Sequence, residues 1–211
     1  MRYCILLLLI FITLFIQNSF TQNISAPNQY SNDSLILKAK KLKQLYLKST
    51  SSPSDLVNIY KKKFFDEFPS TFKQLDELYG NDSDINHKPA LLYDQAQQHI
   101  INLFNELNTI NDTLYYRKIV SVAIDGHWDG DAVNFFQHGL RNKVLNNPAL
   151  IVHVLKGMSN GRIQSFWYFY FDGAHPKKQI AEPLQKIRFI NNKIYDLMIK
   201  AQTDVLKHSK E

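Results

Sequence analysis

The chain of 211 residues carries a single cysteine, Cys4, with seven glycines and seven prolines. One cysteine cannot close an intramolecular disulfide. Its position at the start of an apolar run, rather than at the end of one, is wrong for a lipidated cysteine. Without the N-terminal leader described below the chain has no thiol at all, which excludes disulfide staples, thiolate zinc sites and a cysteine nucleophile. The scarcity of glycine and proline excludes a collagen-like or low-complexity chain. HExxH, GxSxG and a Walker-type glycine loop are also missing, so the hydrolase and nucleotide-binding classes with strong motifs are disfavoured. No segment alternates apolar and polar residues between turn signals, and a sheet has no candidate outside one aromatic run.

What is present describes a globular protein, with 45% apolar, 21% charged and 13% aromatic residues. The N-terminus reads as a secretory leader: Arg2, then an apolar run from Cys4 to Ile16, then Gln17, Asn18 and Ser19. As a helix that run covers about 20 Å, short of the ~30 Å hydrocarbon core, so cleavage is expected rather than permanent membrane insertion. Ser19 and Thr21 are small residues suited to a cut before Gln22, with Ala26 as a second site. This divides the chain into a signal peptide over residues 1–21, a flexible Asn-, Ser- and Gln-rich lead-in over 22–33, and a single all-helical domain over 34–211. Roughly 190 residues remain, enough for one well-buried core. With 25 Lys and Arg against 19 Asp and Glu, the net charge is +6. The Asn-, Lys-, Ile- and Tyr-rich wording resembles that of bacterial envelope proteins, which implies a periplasmic address.

Helical spacing recurs along the whole domain. Leu35, Ala39, Leu42, Leu45 and Tyr46 form one face, with lysines opposite. Leu56, Tyr60, Phe64 and Phe68 follow every fourth residue up to Pro69. Ser70 is expected to cap a short helix ending at Gly80, residues 81–88 to form a loop containing His87, and Pro89 to open the next helix. Leu92, Ala96, His99, Ile100, Leu103, Phe104 and Leu107 give the clearest stripe. Further helices are expected from Asn111 or Asp112 to Gly126, over 129–144, and from Asn147-Pro148 to Gly157. The six aromatics Phe166 to Phe171 favour strands by type, but their context and the spacing Ile163, Phe166, Trp167, Tyr170, Phe171 favour a buried helix. A long terminal helix is expected from Pro183 through Val205. The fold class is therefore all-α: an irregular helical bundle or a short superhelical stack of antiparallel helix pairs.

Chemistry has two candidate places. Asp125-Gly126-His127-Trp128-Asp129-Gly130-Asp131 could hold a hard or borderline divalent ion through carboxylate oxygens and imidazole, although it does not match a calcium loop. Asp172-Gly173-Ala174-His175-Pro176 repeats the theme after the aromatic helix. If the two turns lie side by side, Asp125, His127, Asp172 and His175 could form an acid–base pair or a four-ligand site. These are also the ordinary residues of helix junctions: Gly126 and Gly173 at left-handed C-caps, Trp128 packed down, and Asp129 or Asp131 capping the next helix. The junction is the favoured expectation. His99 and His153 are expected to be partly buried, and His138 and His87 have no evident partner.

The lysine runs Lys38 to Lys43 and Lys61 to Lys63 are expected to be solvated helix faces rather than a nucleic-acid site. By elimination, the sequence points to a secreted or periplasmic, all-helical binding module. It would be an inhibitor, immunity-like or accessory envelope protein that works by contact with another envelope or extracellular protein and without a cofactor. An enzyme using the two Asp-Gly turns, or a structural envelope component, is the alternative.

Overall fold

Among the described residues most of the helical spacing is realised as helices. The computed structural model describes residues 32–81, 88–105 and 110–209, all of them within one unit, Ser31–Glu211. Among them there is no strand. In chain order the helices are α1 (Asn32–Ser51), α2 (Ser54–Glu67), α3 (Phe72–Tyr79), a 3-10 turn (Tyr93–Gln95), α4 (Ala96–Asn105), α5 (Asp112–Ala123), α6 (Asp131–Asn146), α7 (Pro148–Leu155), α8 (Asn160–Phe171), α9 (Glu182–Gln185), α10 (Ile187–Ile190) and α11 (Asn192–His208). The leader and His87 lie outside the described residues, as does Leu107. Asn32 and Asp33, assigned above to the lead-in, form the first turn of α1.

The stripes bury as their spacing requires. Ala39, Leu42 and Leu45 of α1 pack against α2, and Val133, Phe136, Leu140 and Val144 of α6 all lie inside. The aromatic segment is the helix α8, packed against α5, α6 and α11. Trp167 at its centre is 0% exposed. A helix contacted on so many sides can be apolar around most of its circumference, which is why strand-forming residue types are overruled here. Where α4 crosses α6, the ring of Phe104 occupies the place a side chain on residue 139 would need, so Gly139 permits the approach.

His99 is buried in a cage of rings, with centroids at 4.7 Å (Tyr46), 5.5 Å (Phe64) and 5.8 Å (Tyr79). Its Nδ1 shares a 2.9 Å hydrogen bond with the Tyr79 hydroxyl. Burial pushes its pKa down to about 4, with a smaller push from Lys43. At the C-terminal end of α2, Lys38 and Lys41 of α1 both pair with Glu67, the latter at 2.5 Å. Burial works to raise the Glu67 carboxyl, but the two ammoniums outweigh it and hold it below its ordinary value.

Several boundaries differ from the sequence expectation, each for a local reason. Thr71, not Ser70, caps α3 by accepting the Gln74 N–H, while the Ser70 N–H donates to the Gln74 side chain at 3.0 Å. Pro89 does not open a helix, because the Ala90 and Leu92 N–H groups are committed to the carbonyls of Gly80 and Leu78. Helix therefore starts only after Leu92. The expected single terminal helix is divided into α9, α10 and α11. Asn191, at φ −159°, breaks it and caps α11 by accepting the Ile194 N–H at 3.1 Å. His153 is exposed rather than partly buried.

Candidate functional site

The two Asp-Gly turns meet. Asp172 follows α8, and its carboxylate accepts the Trp128 N–H at 2.6 Å through one oxygen and the Gly173 N–H at 2.9 Å through the other. The first turn is locked from its other end as well. The Asp125 N–H donates to the Ser165 hydroxyl oxygen at 2.6 Å, and that hydroxyl donates to the Asp125 carboxylate at 3.1 Å.

The expected roles within the first turn are corrected by this geometry. The left-handed residues are Asp125, at φ 61°, and Asp131, at φ 47°, not Gly126. Gly126 is required by space: a Cβ there would stand 2.7 Å from the Phe169 ring and 2.8 Å from that of Phe72. Trp128 does not pack down but lies 37% exposed. Neither Asp129 nor Asp131 caps α6, whose N-cap is Gly130. Asp129 turns to the Gly130 N–H at 2.7 Å, and Asp131 accepts the Tyr93 hydroxyl at 2.6 Å. In the second turn Gly173 has the positive φ expected of a glycine there, 158°, a backbone conformation that L side chains rarely adopt.

The two imidazoles have different surroundings. His127 lies on the Phe72 ring, centroids 4.9 Å apart, whereas His175 lines the surface beside Arg141. Among the described residues, no group of three or more His, Cys, Asp or Glu is placed to hold a metal ion. The residues Asp125, His127, Asp129, Asp131, Asp172 and His175 thus have individual partners or settings rather than one common centre.

What the joined turns do build is a cleft with two lobes around Arg141. One lobe, about 260 Å³, is lined by His138, Leu145, Tyr170, His175, Lys177 and Leu184 among others. The other, about 350 Å³, is lined by Trp128, Gly130, Asn134 and the Gly173–His175 turn. Arg141 and His175 border both.

Arg141 is positioned by a helix end. The last carbonyls of α8 have no intrahelical partner, and α6 supplies donors for them. Arg141 Nε donates to the Tyr170 carbonyl at 2.9 Å and Nη2 to the Asp172 carbonyl at 2.7 Å. Gln137, one turn earlier on α6, donates to the carbonyls of Phe169 and Asp172. The guanidinium is therefore rigid and half-buried, yet no carboxylate among the described residues is in ion-pair contact with it. Burial pulls its pKa down, partly offset by Tyr170 and Asp172, but an arginine stays charged in such a setting. The Gln137 Oε1 is buried without a partner.

Arg141, His138 and Lys177 were not among the sequence candidates. The available signal was the polar row Asn134, His138 and Arg141 on α6, at the i, i+4, i+7 spacing that puts them on one face beside the buried stripe. Comparison with known protein families, curated proteins and solved structures finds no match.

Proposed function

We propose that the protein is an exported binding module whose working face is the Arg141 cleft, and that it acts by protein–protein contact as an inhibitor, immunity-like or accessory envelope protein. The observation that carries this reading is a fixed, half-buried guanidinium with no carboxylate partner, opening onto a cleft. Taking a cation out of water is costly unless an anion compensates it. Neutral carbonyls orient Arg141 here, and the Asp172 carboxylate that acts on it makes no ion-pair contact and is hydrogen-bonded elsewhere, so an anionic group on a partner completes the site.

The leader from Met1 to Thr21 supplies the address, and the described domain supplies an irregular bundle rigid enough to present a preformed surface. No helix among the described residues is long and apolar enough to cross a membrane. Crosslinking of the tagged full chain in producing cells tests the reading, with N-terminal sequencing of the exported form. The expected result is a chain starting near Gln22 and a discrete crosslinked protein partner that is lost in Lys177→Glu. Recovery of the wild-type chain only as itself, under conditions that crosslink other envelope complexes, overturns it.

A further inference from the structure

The chemistry of the cleft narrows what the partner presents. Arg141 Nε and Nη2 are committed to carbonyls, while Nη1 makes no bond to the described residues. The free donors are therefore those of Nη1 together with the second N–H of Nη2, and neighbouring N–H groups on these two nitrogens form the planar fork that fits a carboxylate. His175 stands beside it and Lys177 lines the same lobe. Asp172, whose charge acts on Arg141, spends its carboxylate on the Trp128 and Gly173 amides, and Arg141 and Lys177 outnumber it. The local charge is therefore positive, in keeping with the chain's net +6, and complementary to an acidic partner.

The walls are not those of a simple ion site. The lobe holding Lys177 also presents Leu145, Tyr170 and Leu184, while the lobe beyond Arg141 is polar and edged by the half-exposed Trp128. An anion alone would use the centre and leave both lobes empty. A chain crossing the centre would use all three parts.

We propose that the cleft binds an acidic peptide segment of the partner: a carboxylate on Arg141, a neighbouring apolar side chain in the Leu145–Leu184 lobe, and the continuing chain over Trp128. This rests on the binding-module reading and goes further by naming the recognised element. Attraction of this kind speeds encounter and weakens with salt, whereas the apolar neighbour slows release.

The test is selection from a displayed library of random heptapeptides on the full chain, followed by titration of the enriched peptides. Enrichment of Asp or Glu beside a large apolar residue is expected, with affinity falling about tenfold or more in Arg141→Gln and when the acid is replaced by its amide. Because Arg141 also holds the end of α8, Lys177→Glu provides a second variant on an exposed residue. It should weaken the same peptides at an unchanged melting temperature. Absence of an acidic consensus, or an acidic consensus indifferent to both variants, overturns the proposal. Inorganic phosphate or anionic vesicles that bind through Arg141 while the library yields no acidic consensus also overturn it. A Lys177-dependent crosslinked partner without an acidic consensus sinks this inference alone and leaves the binding module standing.

Discussion

Asp172 and Trp128 are 44 residues apart in the chain and joined by one hydrogen bond of 2.6 Å from the tryptophan's amide to the aspartate's carboxylate. The same carboxylate holds the Gly173 amide, so a single side chain both shapes its own turn and ties it to the other.

Replacing Asp172 by asparagine keeps the shape but turns one acceptor into a donor. One of the two amides then faces an N–H group. Asp172→Asn is expected to lower stability by about 1–2 kcal/mol, and urea unfolding measures it. Wild-type stability in this variant would show that the carboxylate does not hold the turns.

Gly126→Ala sets a Cβ against the rings of Phe169 and Phe72 and should cost about 1–3 kcal/mol through overpacking. Gly161→Ala, in the first turn of α8 with open space around it, should instead gain about 0.4–1 kcal/mol from reduced unfolded-chain entropy. The opposite signs are the test, read from paired melting curves.

His99 is buried neutral, with its pKa lowered from 6.5 to about 4. The unfolded chain therefore binds a proton more readily than the folded one. The contribution is fully present above pH 6.5, declines as the pH falls, and by pH 4 has lost about 3 kcal/mol. Denaturant titrations across this window should show a steeper slope in wild type than in His99→Gln, which lacks the imidazole, the remainder coming from carboxylates such as Glu67. Equal slopes in the two proteins would place the ring in water.

Trp167 is enclosed by Phe166, Tyr170 and Phe171, with centroids at 5.0, 5.4 and 6.2 Å. Trp167→Ala should cost about 3–5 kcal/mol or prevent folding. Trp167→Phe should cost less, because the indole Nε1 it removes has no partner. A Trp167→Ala protein melting within about a degree of wild type would contradict the burial.

Periodicity made the helices legible because burial follows one face of each. Leu92 through Phe104, and Val133 through Val144, occupy the positions their spacing requires. Junction chemistry was less legible, since local propensity competes with partners that only the fold supplies. Pro89 has the residue type for a helix start, but its neighbours' amides are claimed by Leu78 and Gly80. Asn191 sits on an apolar stripe and acts as a cap. Gly126 is glycine for room, and the sequence suggested backbone freedom instead, because the rings that need the room come from α3 and α8. At the candidate site the adjacency of the turns stayed a condition in the sequence, because spacing along the chain does not report that distance. Arg141 had no sequence signature, because its role depends on carbonyls that α8 brings to it from about thirty residues further along.

The chain has two tryptophans, and they occupy opposite environments. Trp167 is sealed in the interior, while Trp128 stands at the cleft, 37% exposed, its amide tied to Asp172. The protein thus carries its own pair of optical probes. Water reaches one indole in the native state and the other only when the domain opens, so a soluble quencher such as iodide separates their emission. Light from Trp128 reports what enters the cleft, and light from Trp167 reports whether the fold around it is intact, within a single unlabelled sample.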